Sequence, residues 1–181
     1  MAQRNRIPKM APVYADGYYV NMRGDTVKGS IQTNPEDKTR FYTEFAFKPL
    51  RATKARVYNS RRAKAYGFDG HHFVSVNYDD EKLFMERLAS GRLVVYEYRF
   101  HGKIKGNPAV ESSYFVLDTW EDAKVRELSK INNRYYKKSL KPIIGEEQPA
   151  IWERIDKFNF SKQNVLNAVN EFNVNYRKMG N

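Results

Sequence analysis

Five cations recur at helical spacing late in the chain: Lys130, Arg134, Lys137, Lys138 and Lys141. On a wheel at about 100° per residue they fall within a narrow arc, and a helix charged in this way can lie along phosphates or acidic sugars. They are the candidate binding residues of this sequence, although a charged arc is also what any amphipathic helix turns to water. Arg51, Arg56, Arg61, Arg62 and Lys64 form a second basic stretch. Asp69, His71 and His72 raise metal binding, but neighbouring residues on a strand point to opposite faces, so the two imidazoles do not close on one ion. Ordinary strand-edge histidines, and no metal site, are the expectation. Asp79, Asp80 and Glu81 crowd three acids into one polar turn, where water keeps them alike, whereas acid and base catalysis needs carboxylates with unlike environments. Arg23-Gly24-Asp25 spells the integrin-binding tripeptide, yet turn chemistry alone selects Gly and Asp at a hairpin tip. Cysteine is absent, which removes disulfides, thiolate catalysis and thiolate metal sites. There is no nucleophile elbow, phosphate loop or dinucleotide fingerprint. The expectation is a non-enzymatic protein with no catalytic residue and no cofactor.

The elements that must position these residues follow from a change of period. From Tyr18 to about Leu117 apolar residues return every second position between turn signals, as in half-buried strands, and from Trp120 onward every third or fourth, as in amphipathic helices. Tyr18–Met22, Arg23–Thr26 and Val27–Gln32 read as strand, tight turn and strand, with Gly24 supplying a positive φ. Phe41, Thr43, Phe45 and Phe47 predict a strand ended by Pro49, and a short strand is possible around Val57. Further strands are expected at 65–68, 72–78, 82–89, 92–100 and 113–117. Thr119 followed by Asp122 resembles a capping box, opening a helix with Val125, Leu128, Ile131, Tyr135, Tyr136 and Leu140 on one half, and Pro142 ends it. Pro149 suits the first turn of a short helix, and Ser161 the cap of the last. Strands followed by helices imply α+β: a bent antiparallel sheet or partial β-barrel of about seven or eight strands, then two or three C-terminal helices. Residues 1–17 are expected to be an extended or disordered arm and 18–181 a single domain.

At 181 residues, 41% hydrophobic and 29% charged, the chain can bury a core without staples. No apolar run reaches the roughly 20 residues that a membrane-spanning helix needs. The net charge is +11, unevenly spread: +8 over residues 1–70, −1 over 71–120 and +4 over 121–181. Such an excess attracts nucleic acid, anionic lipid, acidic protein or polysaccharide without choosing among them. Residues 1–10 carry Arg4, Arg6 and Lys9 but no apolar core, so either the protein is cytoplasmic or an export signal precedes this chain.

Gly24–Ile31, Phe47-Lys48-Pro49, Tyr66–Gly70 leading into Phe73-Val74-Ser75, Arg87–Tyr98 and Glu171–Tyr176 stand along nearly the whole domain. Together these stretches resemble uncharacterised exported domains of Bacteroidetes. The resemblance implies a periplasmic or cell-surface location, with the cytoplasm as the alternative, and carries over no catalytic residue. The function expected is a cell-envelope module for structure or for binding an envelope protein or acidic glycan. One alternative is nucleic-acid binding by the basic helix face together with the Arg51–Lys64 stretch. A second is an enzyme or small-ligand binder with a pocket between sheet and helices. Oligomeric state is left open.

Overall fold

The computed structural model describes residues 10–120, 125–128, 134–157 and 160–179. Its strands are β1 Tyr14–Asn21, β2 Thr26–Gln32, β3 Glu44–Pro49, β4 Arg56–Asn59, β5 Ala63–Phe68, β6 His71–Tyr78, β7 Glu81–Ala89, β8 Leu93–Ile104, β9 Asn107–Asp118 and β10 Arg126–Glu127. They form one antiparallel sheet in the order β10-β9-β8-β7-β6-β5-β1-β2-β3-β4. The α+β class holds, but among the described residues the strands number ten, not seven or eight, and the sheet they form does not close into a barrel. The shortest strands are β4, four residues at the possible strand around Val57, and β10, two residues in which alternation leaves no trace in a sequence. The first strand starts at Tyr14, ahead of the expected Tyr18, because its pairing with β2 runs on from Gly17↔Gly29 to Tyr14↔Gln32.

Turn chemistry acts as the residue types demand. Asn21 Oδ1 accepts from the N–H groups of Arg23 and Asp25 (2.9 and 3.0 Å), and Gly24 takes φ +102°, so the Arg-Gly-Asp tripeptide is accounted for by the hairpin it builds. Asp79 and Asp80 both take left-handed φ between β6 and β7 (49° and 63°), as a primed turn requires. One expected strand is split. Asp37 accepts from Thr39 N–H at 2.9 Å and caps a 3-10 helix, Lys38–Tyr42, so Phe41 precedes β3 instead of belonging to it.

The first half of the sheet rolls up. Phe45 on β3 stacks on Tyr66 of β5 at 4.0 Å between ring centroids, and meets Phe84 of β7 at 5.7 Å. In a flat sheet β3 and β5 would lie three strand spacings apart, about 14 Å, so these contacts measure the curvature. The interior is aromatic: Ile31, Tyr42, Phe45, Phe47, Tyr66, Phe68, Phe73 and Phe84 pack together.

The second half lies under the helices α1 Arg134–Leu140, α2 Pro149–Asp156 and α3 Lys162–Met179. Leu93, Val95 and Val116 of the sheet meet Tyr136, Leu140, Ile143, Ile151, Ile155, Val165, Val169 and Phe172. On the reverse face Val76, Met85, Val94, Tyr96, Phe115 and Val125 form a third cluster. Pro149 and Ser161 act as expected: the first opens α2, and Ser161 Oγ accepts from Asn164 N–H at 3.0 Å. The long helix from Trp120 to Leu140 is a correction. Val125 and Leu128 are three residues apart, which on a helix is one side, but β10 is extended and sends them to opposite faces, Val125 into the reverse cluster and Leu128 beneath the helices. Glu121, Asp122 and Ile131 lie outside the described residues. Nor does Pro142 end the helical path, which widens into a π-helical turn, Lys141–Gly145, that accommodates the ring.

Candidate ligand-binding cleft

A single row of side chains crosses six strands on the concave face. Register places Tyr19 opposite Tyr66, Tyr66 opposite Phe73, Phe73 opposite Glu86, Glu86 opposite Glu97 and Glu97 opposite Tyr114. The row thus leaves the aromatic roll, passes through two acids and ends under the helices. Like charges directly opposite each other destabilise a sheet, so both carboxylates need other partners.

Each has them. Glu97 is 1% exposed; it accepts from Arg99 (3.1 and 3.3 Å), Lys162 (2.9 Å), Ser112 Oγ (2.8 Å) and Tyr114 OH (3.2 Å). Burial opposes its ionisation, but the bonds from Arg99, Lys162 and Ser112 outweigh that and hold its carboxyl at about 2. Glu86 accepts from Tyr42 OH at 3.1 Å, and His71 Nδ1 lies 2.6 Å from its other oxygen. Burial and then the Glu86 charge push the Tyr42 phenol far up, so it stays protonated as a donor.

Beyond this row β7 and β8 part. Their pairing reaches Glu86↔Glu97 and stops, while β7 continues along β6 back to Glu81 and β8 continues along β9 to Ile104. The 3-10 helix 38–42 enters the gap: Tyr42 sits edge-on to Phe73 and Tyr98 (5.4 and 5.7 Å), and the Tyr66 hydroxyl donates to the Phe41 carbonyl. Asp37, at the start of that helix, reaches His101 on β8 at 2.5 Å. The bond from His101, then those from Thr39, keep the Asp37 carboxyl at about 2.

The space left is a cleft of about 660 Å³, bounded by the 3-10 helix, the β5–β6 hairpin, β7, β8, β9 and the start of α3. Its charged lining is Asp37, Lys38, Asp69, Glu86, Arg99 and Lys162, and its apolar lining includes Phe41 and Phe68, with rings 5.1 Å apart. Arg99 and Lys162 are 43% and 39% exposed although both bind Glu97. A guanidinium has five N–H donors and an ammonium three, so both keep donors for a ligand.

The expected binding residues lie elsewhere. Arg134, Lys137 and Lys138 fall on α1 and Lys141 opens the π-helical turn, whereas Lys130 is outside the described residues. Lys137 spends its charge on Asp156 at 3.1 Å, while Lys138 and Lys141 are exposed. The Arg51–Lys64 stretch flanks β4, at the opposite end of the strand order from β10, beside which α1 lies, so the two basic groups attach to different ends of the sheet. His71 and His72 do face opposite ways, His71 to Glu86 and His72 Nδ1 to Tyr18 OH at 2.8 Å. Among the described residues no three His, Asp or Glu side chains gather as metal ligands. Sequence reasoning passed over Glu86, Glu97, Arg99 and Lys162. The available signal was Glu97 standing at the inward parity of Leu93 and Val95.

Neither protein-family models, nor curated protein sequences, nor solved structures show a match to this chain.

Proposed function

We propose that this domain is a binding module that receives one unit of an acidic saccharide in the cleft between β7 and β8. The observation that carries the reading is the facing pair Glu86 and Glu97, two acids in a row that is otherwise aromatic, with Arg99 and Lys162 bonded to Glu97 at the point where the sheet opens. Sequences break their own pattern at sites of function more than elsewhere. A volume of about 660 Å³ suits a small ligand. Asp37, Asp69 and Glu86 offer acceptors to hydroxyl groups, Arg99 and Lys162 offer donors to a carboxylate or sulfate, and Phe41 offers an apolar surface to the C–H face of a sugar ring. The resemblance to exported domains favours the cell envelope as the place of action.

Calorimetric titration of the full chain with uronic-acid oligosaccharides of two to four units, beside neutral oligosaccharides of the same length, tests the reading. The acidic series is expected to bind at least tenfold more tightly, with Phe41→Ala weakening both series and Lys162→Ala the acidic one alone. No binding of either series, or binding indifferent to both substitutions, overturns it. Fractionation of cells producing the full gene product tests the location, which retention in the cytoplasm would refute.

A further inference from the structure

Between Glu44 and Asp69 the sequence holds seven cations and no acid. Six of them, Arg51, Lys54, Arg56, Arg61, Arg62 and Lys64, are exposed. They lie on β4, in the loop before it and in the turn and strand start after it, so they surround the edge of the sheet. None shares an ion pair among the described residues. Several cations elsewhere are paired: Arg40 joins Glu44, Arg92 joins Asp118 and Glu147, Arg99 and Lys162 join Glu97, Lys137 joins Asp156 and Arg154 joins Glu171. Arg51 also holds φ 66°, a left-handed conformation in which glycine would be the comfortable residue.

We infer that the β4 edge is a docking surface for a long acidic polysaccharide, separate from the cleft and independent of what the cleft holds. Protection of a bare edge against other strands explains one or two cations on a strand this short. It does not explain six unpaired ones extending into the loops on either side, whose mutual repulsion an anionic partner would relieve. Four of the six are arginines, whose planar fork fits carboxylate and sulfate groups. A carbohydrate is favoured over nucleic acid because the ring beside these cations, Tyr58, is engaged with Tyr19, Phe45 and Phe47 and offers bases no stacking platform. A four-residue strand also provides neither the helix nor the ribbon that enters a duplex groove.

The test compares binding of the intact protein to heparin, to polygalacturonate and to a single-stranded and a duplex oligonucleotide, at about 0.15 M salt, where loose surface attraction is largely screened. Arg61→Glu/Arg62→Glu is set against Lys138→Glu/Lys141→Glu, which changes the total charge equally on another surface, and Lys54→Gln/Arg56→Gln repeats the edge change more gently. Thermal melts verify that all three fold. The expected result is retention of at least one of the two polysaccharides, weakened tenfold or more by either edge variant and less than twofold by the α1-side variant. Binding of uronic-acid trisaccharides is expected to survive the edge changes, so this surface and the cleft stand or fall separately. Equal weakening by edge and α1-side variants, tighter binding of either oligonucleotide than of both polysaccharides, or no retention of either polysaccharide overturns the inference.

Discussion

Replacing Glu97 by Gln keeps the side-chain shape and removes its charge, leaving Arg99 and Lys162 without the acid between them. The carboxyl sits at about 2 where 4.5 is ordinary, a difference worth on the order of 3 kcal/mol of folding free energy. Because Arg99 and Lys162 remain 43% and 39% exposed, water screens part of the interaction, and about 2 kcal/mol is the expected loss at neutral pH. In a chain of this length that lowers Tm by about 4–8 °C. The sign with pH is fixed by the direction of the shift. A depressed carboxyl contributes fully above 4.5 and loses its contribution as pH falls toward 2, so the gap between the native protein and the variant narrows across that window. Urea unfolding of both proteins from pH 7 down to pH 2.5, followed by far-UV circular dichroism, measures the gap directly. A difference below about 0.5 kcal/mol at pH 7, or one that stays constant across the acid range, refutes the reasoning.

Asn173 on α3 acts as a substitute strand. Its side chain accepts from Leu93 N–H and donates to the Leu93 carbonyl, both at 2.9 Å, where β8 has only begun to pair, and Gly91 leaves it room, since a Cβ there would stand 2.5 Å from its carboxamide carbon. Asn173→Ala strands two buried backbone groups and is expected to cost about 2–4 kcal/mol in denaturant unfolding, with early hydrogen exchange at Leu93. Arg92 is 9% exposed at its side chain, bonded to Asp118 and Glu147 and lying over the rings of Trp120 and Tyr176 at 4.8 and 4.9 Å. Arg92→Ala leaves Asp118, 2% exposed, without its cation, and thermal and urea melts are expected to show a loss of about 3–5 kcal/mol. Arg92→Lys restores the charge but not the two-pronged geometry and recovers only part of it.

The order of strands before helices, the hairpins at Gly24 and Asp79-Asp80, and the starts of α2 and α3 were legible because each depends on neighbours in sequence. Period failed where it is ambiguous. The spacing of Val125 and Leu128 satisfies one side of a helix and opposite sides of a strand, and only pairing of Arg126 with Val116 and Glu127 with Phe115 decides between them. Phe41 continued the alternation of Phe45 and Phe47, but Asp37 drew it into a helical turn instead. The cleft was illegible for a different reason. Glu86 and Glu97 lie eleven residues apart with a turn between them, and that they face each other is a matter of register, while Lys162 reaches Glu97 from the far end of the chain. Charges that look solvated in a sequence are drawn inward here by partners that no local pattern announces.

The strand order also dictates a sequence of events at the ribosome. β1 finds its second neighbour only when β5 has been made, yet every fully buried member of the first aromatic cluster lies between Ile31 and Phe84. The cluster under the helices, in contrast, waits for Phe172. A nascent chain that has exposed little more than its first ninety residues therefore owns a complete interior, while Leu93, Val95 and Val116 emerge without their full cover until the last helix is released. Synthesis has its hazardous interval in that gap, and truncations that stop before α3 are the ones a chaperone would have to hold.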